Sequence, residues 1–279
     1  MTLVRRKDGA TERLHIETEL MGESLMDRAL MARLDRGEVF RPQPELTVIK
    51  LGGQSIIDRG RAALLPILDE LVHLRPRYPM IIVTGGGTRS RHVYSIAIDL
   101  GMPTGILAKL GQSISEQNAL MVATLLAPYG GIKIGHDDIV KLPSYLAMGT
   151  TPVIHGMPPY GLWEEPPEAG RIPDRRTDIG AFLLAEVLGA RRCILVKDER
   201  GLYAADPKKH PDAEFIPEIE VNELLRRDLD DLAVERAMLR ALARSHSLKE
   251  VYVINGLQRG AIERALAGDN PGTRIYRAG

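Results

Sequence analysis

The residues best suited to chemistry are Lys50-Leu51-Gly52-Gly53, at the end of an apolar run, and Thr84-Gly85-Gly86-Gly87 further along the chain. Two glycine turns, each directly after a candidate strand, let backbone N–H groups approach a phosphate-like anion, because glycine has no Cβ and accepts positive φ. Lys50 adds a cation that would neutralise such an anion. Neither turn has the Gly-x-x-x-x-Gly-Lys-Ser/Thr spacing of a Walker A loop, and neither fits the Gly-x-Gly-x-x-Gly dinucleotide fingerprint. The common P-loop and dinucleotide readings are therefore excluded.

Two further segments carry suitable groups. Lys197-Asp198-Glu199-Arg200-Gly201-Leu202-Tyr203-Ala204-Ala205-Asp206-Pro207 follows the apolar run Cys193-Ile194-Leu195-Val196, so it emerges at the carboxyl edge of a sheet, where open α/β sheets bind ligands. Gly201 permits a turn, Tyr203 offers a ring face, and Lys197 and Asp206 supply charge; a plain polar loop closed by an Asp-Pro turn is the alternative. In Arg175-Arg176-Thr177-Asp178, Thr177 or Asp178 suits a helix N-cap. An aspartate there also suits orienting Lys50 or holding a magnesium–phosphate unit.

These groups need a scaffold. After a break at Pro42 and Pro44, strands are expected over 46–51, 80–84, 132–134, 151–155, 193–196, 250–254 and 273–276. Helices are expected over 57–73, 89–100, 113–126, 178–188, 232–245 and 258–267. Apolar strands between helices imply a mainly parallel sheet covered on both faces. Before the break, Met21, Leu25, Ala29 and Leu34 recur near helical spacing, so 17–36 reads as a helical arm that packs on its own domain or clasps a neighbouring subunit. The division is an arm over 1–44 and an α/β domain over 45–279.

Composition limits the partners. The 37 basic and 37 acidic residues cancel, which argues against broad nucleic-acid binding while allowing a local basic pocket. One cysteine, Cys193, lies inside an apolar run, so neither a disulfide frame nor a cysteine metal site is available, and a reducing cytoplasm is expected. No run reaches the roughly twenty apolar residues of a membrane span, and residues 1–8 have no apolar stretch after their charges.

Taken in order, Lys50-Leu51-Gly52-Gly53, Gly85-Gly86-Gly87, Thr177-Asp178, the Gly201–Pro207 run and Asn270-Pro271-Gly272-Thr273 resemble the amino acid kinase superfamily, nearest to bacterial uridylate kinases, from Leu46 onward. That resemblance implies a three-layer αβα sandwich with ATP at the later loops and phosphate contacts from Gly52, Gly53, Gly85, Gly86 and Gly87. Lys50 would stabilise the transferring phosphate and Asp178 would organise the lysines. Tyr203, Asp206 and Pro207 would border adenine and ribose, and Lys197, Asp198 and Gly201 complete the nucleotide set.

Within that superfamily, the stretches Ile49 to Ala63, Arg89 to Ser95, Gly156 to Tyr160 and Val253 to Leu257 resemble the β-type subunits of its molybdenum-storage branch. This resemblance implies ATP-dependent storage of molybdate or tungstate as polyoxometalate clusters inside a closed cage. The cage would be a hetero-hexamer with an α-type subunit or would form by self-assembly, with ATP and Mg²⁺ as cofactors. The acceptor aspartate of uridylate kinases falls in the segment that reads Lys109-Leu110-Gly111-Gln112-Ser113-Ile114-Ser115 here, where the first acid is Glu116, so UMP phosphorylation is not expected. Arg91, by position, grips an anion or is an exposed helix arginine. The histidine-rich continuation of α-type subunits is absent, because Pro158-Pro159-Tyr160 runs into Gly161-Leu162-Trp163. Condensing oxyanions consumes protons and gathers negative charge, so the cage wall calls for proton-holding donors. Gln112, Lys133, His136, Lys141 and His155 are the candidates, against their ordinary roles as surface lysines and hydrogen-bonded histidines. The rival readings are a small-molecule kinase of the uridylate or amino acid kinase type and a nucleotide sensor without turnover.

Overall fold

The computed structural model describes residues 3–8, 11–16, 28–34, 39–165 and 171–278. The chain divides into two units, Met1–Phe40 and Arg41–Gly279. In the first, β1 (Leu3–Asp8) pairs antiparallel with β2 (Thr11–Ile16), with Asp8 opposite Thr11, and α1 covers Arg28–Leu34. The helix expected over 17–36 is thus present across Arg28–Leu34, and residues 17–27 and 35–36 of that expectation lie outside the described residues. The hairpin goes beyond a purely helical arm. Its sequence signal is a glycine, Gly9, between the two paired segments.

The second unit alternates as expected, through β3 (Thr47–Leu51), α2 (Arg61–Leu74), β4 (Met80–Thr84), α3 (Gly87–Asp99), α4 (Thr104–Leu126), β5 (Gly131–Lys133), α5 (Leu142–Ala147) and β6 (Thr151–His155). It continues with α6 (Thr177–Leu188), β7 (Arg192–Lys197), β8 (Leu202–Tyr203), β9 (Phe215–Ile216), β10 (Glu218–Glu220), α7 (Val221–Arg227), α8 (Arg236–Leu242), β11 (Glu250–Asn255), α9 (Ala261–Ala267) and β12 (Thr273–Tyr276). Eight strands form one sheet in the order β10-β12-β11-β7-β3-β4-β6-β5. Only the β11–β12 pairing is antiparallel.

Alternation along the strands builds a core on each face. Ile49 and Leu51 of β3 join Ile82 of β4 against α2, α4 and α9, through Leu68, Val122 and Ile262 among others. Val48 joins Ile81 and Val83 against α6, α7 and α8, through Phe182, Leu224 and Leu239. The result is the expected three-layer αβα sandwich. It also fixes where Lys50 goes: two residues after Val48, its side chain belongs to the face covered by α6.

Two expected helices change length the most. The one expected from 113 begins at Thr104 and runs 23 residues as α4. Gly105 and Gly111 do not break it; they let neighbours approach, since a Cβ at Gly105 would collide with the Leu162 carbonyl and one at Gly111 with the Tyr94 hydroxyl. The helix expected over 232–245 contracts to Arg236–Leu242, because the chain before it runs as a loop along a cavity wall.

Candidate functional site

The carboxyl edge of the sheet brings three charged side chains together. Lys50 from β3 is 4% exposed, and its Nζ donates to Asp178 Oδ1 at 2.6 Å. Lys197, the last residue of β7, donates from Nζ to both Asp178 oxygens at 3.2 and 3.1 Å. Asp178 lies in the first turn of α6 and is itself buried. Burial opposes its ionisation, yet Lys197 and Lys50 hold its carboxyl well below the usual carboxylate range. Burial also pulls the Lys197 ammonium below its ordinary value against the attraction of Asp178. Two ammonium groups on one carboxylate leave a net positive charge fixed in a dry setting, the arrangement that stabilises developing phosphoryl charge without reorganisation.

The glycine turns press on each other. A Cβ at Gly53 would collide with the backbone of Gly87, and one at Gly85 with the Gly53 nitrogen. Their N–H groups are partly committed, as Gly52 donates to the Val196 carbonyl at 3.0 Å and Gly85 to the Leu51 carbonyl at 3.0 Å. Asp58 Oδ2 accepts the Thr88 N–H in the first turn of α3 at 2.5 Å. At α6, buried Glu235 accepts the N–H groups of Arg176, Asp178 and Ile179. Burial and the Asp178 charge raise its carboxyl above the ordinary range, with Arg176 opposing. Both helix starts are therefore capped by the protein's own carboxylates, and anion affinity falls chiefly to the lysines. Asp58 and Glu235 were not among the expected site residues.

All the residues expected to bind nucleotide line one cavity of about 1180 Å³: Lys50, Gly52, Gly53, Gly85, Gly86, Gly87, Arg91, Asp178, Lys197, Asp198, Gly201, Tyr203, Asp206 and Pro207. Gly201 is required by packing, since a Cβ there would meet Thr273. The Tyr203 ring stands edge-on to Phe215, with centroids 5.4 Å apart. Asp206 Oδ1 accepts the Lys208 N–H at 2.9 Å and so shapes its own loop. Arg91 and Arg176 line the wall together with Tyr94, whose phenol is pushed up to about 12 by burial and stays a hydrogen-bond donor at neutral pH. Six lysines and arginines and seven carboxylates face the cavity. That balance does not by itself favour a free nucleotide tetra-anion, so a divalent cation arriving with the phosphates fits it.

Of the expected cage-wall residues, His136, His155 and Gln112 meet in a separate cluster beyond the carboxyl ends of β5 and β6. The His136 and His155 rings meet edge to face with centroids 4.3 Å apart. His155 Nε2 is 3.5 Å from Glu116 Oε1, which accepts a 2.7 Å bond from Gln112 Nε2, and Lys109 donates to Gln112 Oε1 at 3.3 Å. Lys133 ends β5 and is exposed. Lys141 is instead exposed and ion-paired with Asp138 at 3.0 Å. Glu116 and Lys109 extend the expected set. His155 Nδ1 is buried without a hydrogen-bond partner. No group of three or more His, Cys, Asp or Glu among the described residues is arranged to hold a metal ion.

Burial, with the neighbouring His136, lowers the His155 imidazole from 6.5 to about 4. The unfolded chain then takes up this proton first as pH falls. The stability linked to neutral His155 is complete above its ordinary value and is lost from there down through about 4, by about 3 kcal/mol. Urea unfolding at stepped pH is expected to show that decline, and His155→Gln is expected to flatten it. A wild-type profile level from pH 7 to 4.5 would show that the imidazole titrates normally.

A mainly parallel sheet with a lysine–aspartate–lysine trio and glycine turns at its carboxyl edge defines an α/β protein with one cation-bearing cavity at that edge. The chain belongs to the amino acid kinase family, whose sequence profile matches residues 45–255. It is 47% identical over 266 residues to the molybdenum storage protein subunit beta of Azotobacter vinelandii, covering 95% of this chain and 98% of that one. It is 30% identical over 237 residues to a uridylate kinase of Thermofilum pendens, covering 80% and 94%. The crystal structure of UMP kinase from Bacillus anthracis superposes with a TM-score of 0.65 at 21% identity, over 85% of this chain and 98% of that one, a likeness of fold. No described helix is long and apolar enough to cross a membrane.

Proposed function

We propose that this chain is a β-like subunit of a molybdenum store, binding Mg-ATP and taking part in ATP-dependent loading of molybdate, or tungstate, as polyoxometalate clusters in a cytoplasmic cage. The observation that carries this reading is the 47% identity, over nearly the full length of both chains, to a protein named as a molybdenum storage subunit beta. The word subunit points to an α-type partner and a hetero-oligomer, with a hexamer as the form to test.

The cavity chemistry agrees with the nucleotide part. The triphosphate would lie against Lys50 and Lys197, with Gly53 and Gly86 allowing close approach and Tyr203 and Pro207 beside the base. Asp178 accepts from both lysines, which supports the role of organiser of the trio. Mg²⁺ would enter on the phosphate oxygens with water completing its shell. ATP hydrolysis here is transfer of the γ-phosphoryl group to water, which needs position and charge neutralisation more than a covalent nucleophile. The histidine cluster, with Gln112, Lys133, His136 and His155, would meet the growing oxide through neutral imidazole and amide donors.

The second reading, a small-molecule kinase, draws on the 30% identity to a uridylate kinase and on Arg91 and Arg176 lining the cavity beyond Lys50. Elemental analysis of protein purified from molybdate-fed cells separates the two. Many molybdenum atoms per subunit are expected; absence of metal, together with ADP release that requires an organic acceptor, would favour the kinase.

A further inference from the structure

A second charged group stands in the cavity, apart from the lysine–aspartate–lysine trio. Asp198 follows Lys197 at the end of β7, and its Oδ2 binds Arg59 Nη2 at 2.6 Å and Lys208 Nζ at 2.9 Å. The carboxylate is 12% exposed, whereas Arg59 and Lys208 are 46% and 56% exposed. Arg59 closes the turn that follows the first glycine pair, and Lys208 belongs to the loop shaped by Asp206. One half-buried carboxylate thus ties together two half-exposed cations from two loops on the same cavity. Glu199 adds a weaker contact to Lys208 at 3.4 Å. Elsewhere in this cavity Lys50 and Lys197 belong to the trio, Arg176 stands 3.7 Å from Glu235, and Arg91 lines the wall from α3.

We infer that Arg59 and Lys208 form a polyphosphate clamp, positioned by Asp198, which grips the nucleotide in the same cavity as Lys50 and Lys197 but through cations of its own. The inference rests on the nucleotide reading proposed above and adds residues to it. A carboxylate inside an anion site is unfavourable by simple charge counting, and removing it should tighten binding of an anion. A positioning carboxylate behaves in the opposite way, because the cations it holds lose their aim when it is neutralised.

The experiment is calorimetric titration of the full chain with Mg-ATP, with thermal unfolding run beside it to confirm that each variant is folded. Arg59→Gln and Lys208→Gln are each expected to weaken Mg-ATP by about tenfold, the scale of a lost charge-assisted hydrogen bond, and Arg59→Lys is expected to recover part of that loss. Asp198→Asn is expected to weaken it as well. Asp230→Asn makes the same charge change at a cavity carboxylate that holds neither clamp cation, and it is expected to leave affinity unchanged or raised. Tighter binding by Asp198→Asn, or glutamine variants within twofold of wild type, would overturn the clamp while leaving the nucleotide site standing. Wild-type protein that binds no Mg-ATP would overturn the nucleotide reading and the clamp with it.

Discussion

Lys50→Ala is expected to reduce ATP-dependent molybdate uptake to the level seen without nucleotide, and to cut ATP turnover by about a hundredfold or more. The size of the effect follows from where the ammonium sits. Lys50 is buried at the end of a central strand, its Nζ is fixed 2.6 Å from Asp178, and it faces the cavity from a setting with little water to screen it. A preorganised cation of this kind contributes far more to a developing phosphoryl charge than an exposed lysine does. The fold is expected to survive, because Lys197 keeps both of its bonds to Asp178. Arginine is not expected to rescue the variant, since a planar guanidinium on a longer stem does not reproduce the compact ammonium that Asp178 Oδ1 holds at 2.6 Å. Uptake by folded Lys50→Ala protein that matches wild type would falsify the role given to this residue.

What was readable in the chain and what was not divides along sequence distance. Strands β4, β6 and β12 fall where apolar runs between breakers place them, and Lys50, Asp178 and Lys197 stand at strand and helix ends that local pattern marks. The glycine turns were equally visible, although their N–H groups prove partly committed to the sheet. Glu235 was hidden, because it reaches Asp178 across 57 residues and looks, in sequence, like one more charge on an amphipathic helix. Arg59 and Asp198 are 139 residues apart, and nothing local links them. Gly105 and Gly111 misplaced the start of α4, since a glycine that breaks a helix and one that admits a close neighbour are the same letter. Of the cage-wall candidates, His136 and His155 meet because β5 and β6 are adjacent strands, a pairing the sequence leaves open; Lys141 turns to Asp138 three residues away.

Asp178→Ala should be the most destabilising single change at the site, by about 3–5 kcal/mol at neutral pH, because it leaves two buried ammonium groups without a counter-charge. The pH dependence gives the effect a signature. In wild type, the carboxyl is held below its ordinary value of 3.8, so its contribution is complete above that value and is lost as the solution is acidified beneath it. The alanine variant lacks that acid limb. Lys197, already lowered by burial in wild type and in the variant without Asp178 to oppose it, releases its proton more readily in the folded chain than in the unfolded one, so stability should climb as pH rises from 7 toward 10. Urea midpoints measured across that range test both halves. A variant as stable as wild type at pH 7, with no alkaline recovery, would mean that water reaches the trio and that its charges act as an ordinary exposed ion pair. The strong electrostatic role assigned to Lys50 depends on the same dryness, so this stability profile checks the physical basis of the site without any nucleotide present.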